Sequence, residues 1–236
     1  MPTVFDIYEI LSDAYGYQGW WPLFSRRGSP GFNSRGYRLF PSRIPLAIED
    51  RIEISTGAIL TQNTSWKNVE KALGNLQADG ILSAEAIADS SVEKLEALIR
   101  PSGYFRQKAR RLKGVIHILF GKPGSNGIDV PERDFLLSVS GIGPETADSI
   151  LLYAYNYPSF IADMYTRRFY ARLAGEQKIG KYEHVKSIFE NSLPREAGLY
   201  GEYHALIVAH GKKHCSSRPV CRGCPCFSFC RAPDKG

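Results

Sequence analysis

Cysteine is absent from the first 214 residues of this 236-residue chain, and all five thiols fall in the last 22. That excludes a disulfide framework spread through the domain. No apolar run reaches the roughly 18 residues that would span a bilayer. Asp6, Glu9 and Asp13 near the start do not suit a secretory leader. No stretch alternates apolar and polar residues as a half-buried strand does, and there is neither an internal repeat nor a low-complexity tract. With 43% hydrophobic and 23% charged residues, the chain has the composition of a globular protein that builds its own core. At about 100–200 residues per domain, its length allows one or two domains.

Acidic residues are missing locally rather than globally. Residues 14–48 hold none, against Arg26, Arg27, Arg35, Arg38 and Arg43. Residues 97–128 hold none, against seven basic side chains from Arg100 to Lys122. Residues 203–233 hold none, against Lys212, Lys213, Arg218, Arg222 and Arg231. These stretches carry 17 of the 30 lysines and arginines, and the formal charge is +6. Brought to one face, they would suit a polyanion such as nucleic acid; scattered, they are only solvated surface.

Helical periodicity runs through almost the whole chain. It predicts an all-α fold with helices over residues 5–15, 104–120, 131–138, 144–156, 163–174, 181–192 and 195–212. Ser65 is positioned to cap a further helix through Trp66, Val69 and Leu73, and Ser90 and Glu93 have capping-box spacing before Leu95 and Leu98. Two stretches break the pattern. Residues 25–45 are rich in Gly, Ser, Pro and Arg and read as a loop. Residues 215–233 interleave the cysteines with Pro219, Pro225 and Pro233, too irregular to pack without a metal centre.

Five motifs carry chemistry. In Ser138-Val139-Ser140-Gly141-Ile142-Gly143-Pro144-Glu145-Thr146-Ala147-Asp148, the glycines permit a tight turn and Pro144 suits a first helical position. Such a turn between helices offers backbone amides to a phosphate, or is an ordinary connection. In Phe160-Ile161-Ala162-Asp163-Met164-Tyr165-Thr166-Arg167-Arg168-Phe169, Asp163 stands where a helix N-cap belongs. The cysteines read Cys215-x5-Cys221-x2-Cys224-x5-Cys230, with Cys226 as an extra thiol. The segment Ala58–Val69 sets Gln62 at a helix end, a residue with both a donor and an acceptor. Finally, Gly19-Trp20-Trp21-Pro22 pairs two tryptophans, which are either core or a partly open aromatic wall.

In this order, hairpin, Asp and cysteine loop resemble the helix–hairpin–helix DNA glycosylases of the endonuclease III superfamily over about residues 5–232. The paired tryptophans and the Gln62 segment look most like the 3-methyladenine (methylpurine) branch. The resemblance implies two helical domains flanking an active cleft. One is a six-helix module of about 44–156; the other joins 1–43 to 157–236, with a cluster loop at about 213–232. It implies that Gly141, Gly143 and Thr146 meet DNA phosphate and that Gln62 enters the duplex. Trp20 and Trp21 would stack on an everted base, with Phe40 or Tyr37 as a second wall, and Asp163 would face the scissile sugar. The turn Ser102–Ala109 would lie near DNA. A 4Fe–4S cluster is implied on Cys215, Cys221, Cys224 and Cys230, although the first interval is one residue shorter than usual; a zinc site is the alternative. The expected setting is a reducing intracellular compartment, and the expected partner is double-stranded DNA with a damaged or mismatched base, bound by a monomer.

One departure bears on reaction type. Bifunctional members place a nucleophilic lysine two residues after the second hairpin glycine, and here that residue is Glu145. A carboxylate forms no Schiff base. The reading is a monofunctional, hydrolytic glycosylase acting through Asp163, with Glu145 either assisting or only serving its helix, and alkylated purines as the substrates. Excision of mispaired thymine or uracil, or of an oxidised base, is the enzymatic alternative. A non-catalytic DNA-binding protein is the alternative of another class.

Overall fold

A computed structural model describes residues 2–41, 46–121 and 129–232. The described part is helical, with no strand beyond a single bridge between Phe32 and Arg38. Eleven α-helices are described: α1 (Val4–Tyr15), α2 (Ile48–Leu60), α3 (Trp66–Ala78), α4 (Ala84–Asp89), α5 (Val92–Ile99), α6 (Phe105–Phe120), α7 (Arg133–Ser138), α8 (Pro144–Ser149), α9 (Met164–Ala174), α10 (Tyr182–Ser192) and α11 (Ala197–Lys213). A π-helical turn, Ile150–Ala154, prolongs α8. Among the described residues no helix is long and apolar enough to cross a membrane. Arg43 and Lys122 of the acid-free stretches, Pro233 of the cysteine tail and the expected module boundary at residue 44 lie outside the described residues.

Two compact units emerge. The first comprises residues 1–20, 39–41 and 158–236, with α1, α9, α10 and α11. The second comprises residues 21–38 and 42–157, with α2–α8. The arginine-rich segment 21–38, grouped on sequence grounds with the N-terminal helix, therefore belongs to the α2–α8 unit. That unit carries seven described α-helices rather than six; the short α4 left no periodic signal in the sequence.

In the second unit α2 is central. Ile52, Ile54, Ala58, Ile59 and Leu60 are all buried, as on a helix packed on every side. Its two buried carboxylates explain why segment 21–38 is folded rather than loose. Glu53 accepts the backbone amides of Phe24 and Ser25, and Asp50 pairs with Arg26 Nε at 2.8 Å. Burial pushes the Glu53 carboxyl up, against those same amides. Arg27 pairs with Glu70 at 2.6 Å, so two of the arginines expected on a DNA face are bound to α2 and α3. Leu23 donates its amide to Gly36 O, and Gly36, at φ 84°, lies so close to the Leu23 carbonyl that no Cβ fits.

Capping departs from expectation in two places. Ser65 occupies the N-cap of α3 without a side-chain capping bond. Ser91, not Ser90, caps α5 by accepting from Lys94 N, while Ser90 donates back to Ala86 O. A capping box of Thr3 with Asp6 opens α1.

The hairpin between α7 and α8 rests on a buried ion pair: Arg133 grips Asp148 bidentately at 2.8 and 3.1 Å. Asp148 is fully buried, whereas the Arg133 side chain is 25% exposed. Removing one partner strands the other. Asp148→Ala is expected to lower stability by about 3 kcal/mol, read as a lower urea midpoint. An unchanged midpoint would mean that the pair does not hold the hairpin.

The first unit packs α11 against α1 and α9. Phe160 stacks on Phe189 with centroids 4.5 Å apart, and Tyr200 and Tyr203 complete an aromatic core. Tyr203 donates its hydroxyl to Val4 O at 2.9 Å, fastening α1 to α11.

Candidate active site

Asp163 follows three buried residues, Phe160, Ile161 and Ala162, that leave the backbone no freedom to move. A buried lysine fixes them further. Lys186 Nζ on α10 donates to Ser159 Oγ at 2.8 Å, Phe160 O at 3.1 Å and Glu190 Oε1 at 2.6 Å. Glu190 in turn accepts the Phe160 amide at 2.8 Å. The chain thus reaches α9 at a fixed point, and Asp163 caps it: Oδ1 accepts from Thr166 N at 2.8 Å. Its other oxygen, Oδ2, stands 3.5 Å from His204 Nε2 on α11. Burial raises the Asp163 carboxyl, but His204 and Thr166 together outweigh it and hold the carboxyl below its ordinary value of 3.8. The group is therefore an anion at neutral pH, with its side chain only 13% exposed. His204 also meets the Trp20 ring edge to face, centroids 5.5 Å apart at 86°.

Trp20 is half-buried in the first unit. Trp21 goes elsewhere, into the core of the second, where it meets Trp66 and Tyr153 with centroids 5.2 Å away in each case. Its indole lies against Gly57, and it is only 7% exposed. The pair read together in the sequence is divided between the two units. Phe40 is 59% exposed.

Gln62 sits just past the end of α2 and is bound to the hairpin. Its amide donates to Gly141 O at 3.1 Å and to Thr146 Oγ1 at 3.0 Å, while Oε1 accepts from Arg111 Nη1 at 2.9 Å. Thr146 is buried, its hydroxyl turned to Gln62. Gly141 has φ 88° and lies against the Arg111 side chain, leaving no space for a Cβ. Gly143 is different: its φ of −92° is ordinary extended backbone, and a Cβ there would meet nothing within 4 Å. Only Gly141 is therefore required by the turn. Glu145 is exposed in the first turn of α8. Lys108, on α6, is 1% exposed and donates to Leu60 O at 2.8 Å and Ser102 O at 2.7 Å, so it ties the end of α2 to the turn Arg100–Ser102. Burial, with Arg111 nearby, pushes it down to about 8.

All five cysteines line one small, partly open pocket, shared with Arg172 and His210. The loop is not held by thiols alone, as the sequence implied. From α9, Arg168 donates to Cys215 O at 2.8 Å, and Arg172 donates to Ser216 O at 2.6 Å and to Cys215 Sγ at 3.3 Å. From α11, His210 Nε2 lies 3.9 Å from Cys224 Sγ, and its Nδ1 meets the Tyr15 hydroxyl at 2.9 Å. The neighbouring Cys226 thiol, 1% exposed, together with His210 holds Cys224 well below the ordinary thiol value, while the Cys224 contact and burial push Cys226 up. Four sulfurs, two of them met by side-chain N–H groups (Cys215 by Arg172, Cys224 by His210), suit an iron–sulfur centre. Among the described residues no three ligating side chains close on a single metal-ion-sized point.

Residues 56–195 match the HhH-GPD superfamily of base excision DNA repair proteins. A putative DNA repair glycosylase of Methanocaldococcus jannaschii is 41% identical over 235 residues, 96% of this chain and 95% of the relative. The chain belongs to the HhH-GPD superfamily. It is a DNA glycosylase of base excision repair, and the matched residues include α7, Gly141 and α8. Endonuclease III of Sulfolobus acidocaldarius is 31% identical over 73% of this chain and 78% of its own. Among solved structures, an H. pylori 3-methyladenine DNA glycosylase bound to 1,N6-ethenoadenine superposes with a TM-score of 0.68 at 27% identity, covering 89% of this chain and 98% of that one. Endonuclease III in a non-covalent complex with DNA shares the HhH-GPD fold at a TM-score of 0.73 and 21% identity, over 98% and 96% of the two chains.

Sequence reasoning missed Arg111, His204, Lys186 and Arg172, and it read Arg168 as a phosphate contact or solvated surface where the structure binds it to Cys215 O. Arg111 was counted only as charge. His204 gives no local signal, because its partners Asp163 and Trp20 are 41 and 184 residues away in the chain.

Proposed function

We propose that this glycosylase, acting as a monomer on duplex DNA, hydrolyses the N-glycosidic bond of alkylated purines such as 3-methyladenine and 7-methylguanine, leaving an abasic site and an intact strand. The observation that carries the reading is the fixed Asp163 carboxylate beside His204, with Glu145 where a lyase would need an amine. An alkylated purine is cationic, so the C1′–N bond breaks with its electron pair passing to the base. Asp163 supplies the negative charge that the oxocarbenium-like sugar needs as that bond opens. Its depressed pKa suits electrostatic stabilisation more than proton acceptance. Water then bonds to C1′ and releases a proton to solvent.

Trp20 is the proposed stacking wall, favouring a cationic base over a neutral one by about 0.5–2 kcal/mol. Trp21, packed on Trp66 and Tyr153 in the core of the other unit, is not part of that wall; Phe40 is exposed enough to contribute a second surface. Gln62 is the residue proposed to fill the space of the everted base, and the hairpin backbone at Gly141 and Gly143 is proposed to face the phosphate; Thr146, buried with its hydroxyl on Gln62, steadies that glutamine instead. Glu145 serves its helix. The H. pylori 3-methyladenine glycosylase, at 27% identity, supports the choice of substrate. Lys108 does not supply the missing amine, since it is buried and bonded to two carbonyls.

Cys215, Cys221, Cys224 and Cys230 are proposed to hold a 4Fe–4S cluster, with Cys226 as a neighbouring free thiol. When bound, such a cluster orders the loop it ligates and has redox chemistry of its own. Asp163, Trp20 and Gln62 act without passing through it.

The test is one panel of duplexes bearing alkylated, deaminated, mispaired and oxidised bases, scored for free base and for borohydride-trapped protein–DNA adducts. Alkylpurine release without an adduct is expected, with strand breaks only after alkali. Faster release of uracil, thymine or an oxidised base would overturn the substrate reading. An efficient adduct would overturn the monofunctional one, and binding with no release anywhere would make this a non-catalytic member.

A further inference from the structure

Asp163 has two carboxylate oxygens, and the helix cap uses only one of them. Thr166 N–H takes Oδ1 at 2.8 Å. The other faces a ring brought in from α11, His204, which is 5% exposed and serves neither the cap nor the aromatic core around Phe160. The same ring meets Trp20 edge to face, centroids 5.5 Å apart. One side chain thus touches both the proposed charge-bearing carboxylate and the proposed base-stacking wall.

We propose that His204 is a positioning residue: it fixes the second oxygen of Asp163 and registers that carboxylate against the Trp20 ring. The inference rests on the reading of Asp163 as the catalytic carboxylate and adds how its charge is aimed. A carboxylate held at one oxygen by the cap can swing the other, and a swinging charge stabilises a developing cation less well than a fixed one. Nε2 stands 3.5 Å from Oδ2, longer than an ordinary hydrogen bond in the free protein. Catalytic contacts of this kind tighten in the substrate complex, where the imidazole N–H takes Oδ2 and leaves the anion its charge.

The other titratable and charged groups around this pair are engaged elsewhere. Next to His204 on α11, Glu202 accepts the amides of Gln18 and Gly19, and Tyr203 donates to Val4 O. Tyr8, from α1, lies against Tyr203 with centroids 5.4 Å apart. Arg168, from α9, bonds Cys215 O; Arg167 is the exception, its backbone amide donating to Asp163 O while its guanidinium Nε is buried with no hydrogen-bond partner among the described residues. On α10, Lys186 and Glu190 bond each other and the 159–160 backbone.

The experiment compares wild type, His204→Phe and His204→Gln. Lesion-duplex affinity and single-turnover base release are measured across pH, and the Asp163 carboxyl of the free protein is titrated by carbon-13 NMR. His204→Phe keeps a ring beside Trp20 but loses the donor. It is expected to bind within about twofold of wild type while releasing base about ten- to hundredfold more slowly, the scale of one hydrogen bond to a charged group. Its carboxyl should take up a proton at higher pH, moving the acidic limb of base release upward. The His204→Gln amide should restore part of the rate and part of the limb, and it stands in if the Phe variant does not fold. Wild-type rate and limb in either variant would overturn the proposal, as would equal losses in both that appear only in affinity or thermal stability. If wild type releases no base from any duplex, the function reading fails by itself. The carboxyl titration then decides this one: an Asp163 midpoint unmoved in both variants overturns it, and an upward shift supports it.

Discussion

Asp163→Asn is expected to bind lesion-bearing duplex as wild type does and to release base at least about a thousandfold more slowly, the effect of removing a charge aimed at the transition state. The fold should survive. Asn caps helices as well as Asp does, and its amide oxygen can still accept from Thr166 N. The clamp of Lys186 and Glu190 on residues 159–160 is untouched, so the side chain should keep its position. What disappears is the negative charge. The sign for stability follows from the same charge. In wild type the carboxyl is held below its ordinary 3.8, so its contribution is present above that value and lost as pH falls through the lower folded-state value. The Asn variant should lack this acid-linked loss. Single-turnover kinetics and acid unfolding measured on the same preparation check both statements. A well-folded variant with wild-type rates would reduce Asp163 to a helix cap.

The cysteine loop should give the second large effect. Anaerobically purified wild type is expected to carry about four iron atoms per chain with matching sulfide. Cys224→Ser should fall below about one iron, because a hydroxyl is a poor substitute for a thiolate ligand. Cys226→Ser should keep its iron, since it leaves the four proposed ligands in place. Loss of the cluster should leave residues 215–217 held by Arg168 and Arg172, and the remainder of the loop open to protease. Iron and sulfide analysis with limited proteolysis reads all three proteins. One zinc and no iron in wild type would rule out the cluster; iron kept in Cys224→Ser and lost in Cys226→Ser would exchange the two ligands.

The contrast between these two sites shows where sequence information lies. The gathering of the cysteines was legible because all five lie within 16 residues, so the short chain between them keeps them close. The hairpin was legible for the same reason, although the structure requires glycine only at Gly141, where φ is positive, and leaves Gly143 in ordinary extended backbone. Helix order followed from periodicity, because a 3.6-residue apolar stripe is a local property. Asp163 was legible as a cap, since capping is settled within one turn.

Tertiary structure alone decided the partners. Nothing near Arg26 in the chain announces Asp50, and the folded state of the arginine-rich segment depends on buried carboxylates of α2. Trp20 and Trp21 are adjacent in sequence, yet one turns to His204 and the other into the core around Trp66, because the boundary between the two units falls between them. Arg111 reaches Gln62, and Lys186 reaches Ser159, across 49 and 27 residues. Local spacing determines which elements form and which side chains could carry chemistry. Long-range packing selects which of them meet, because a contact between distant residues depends on the burial of everything folded between them.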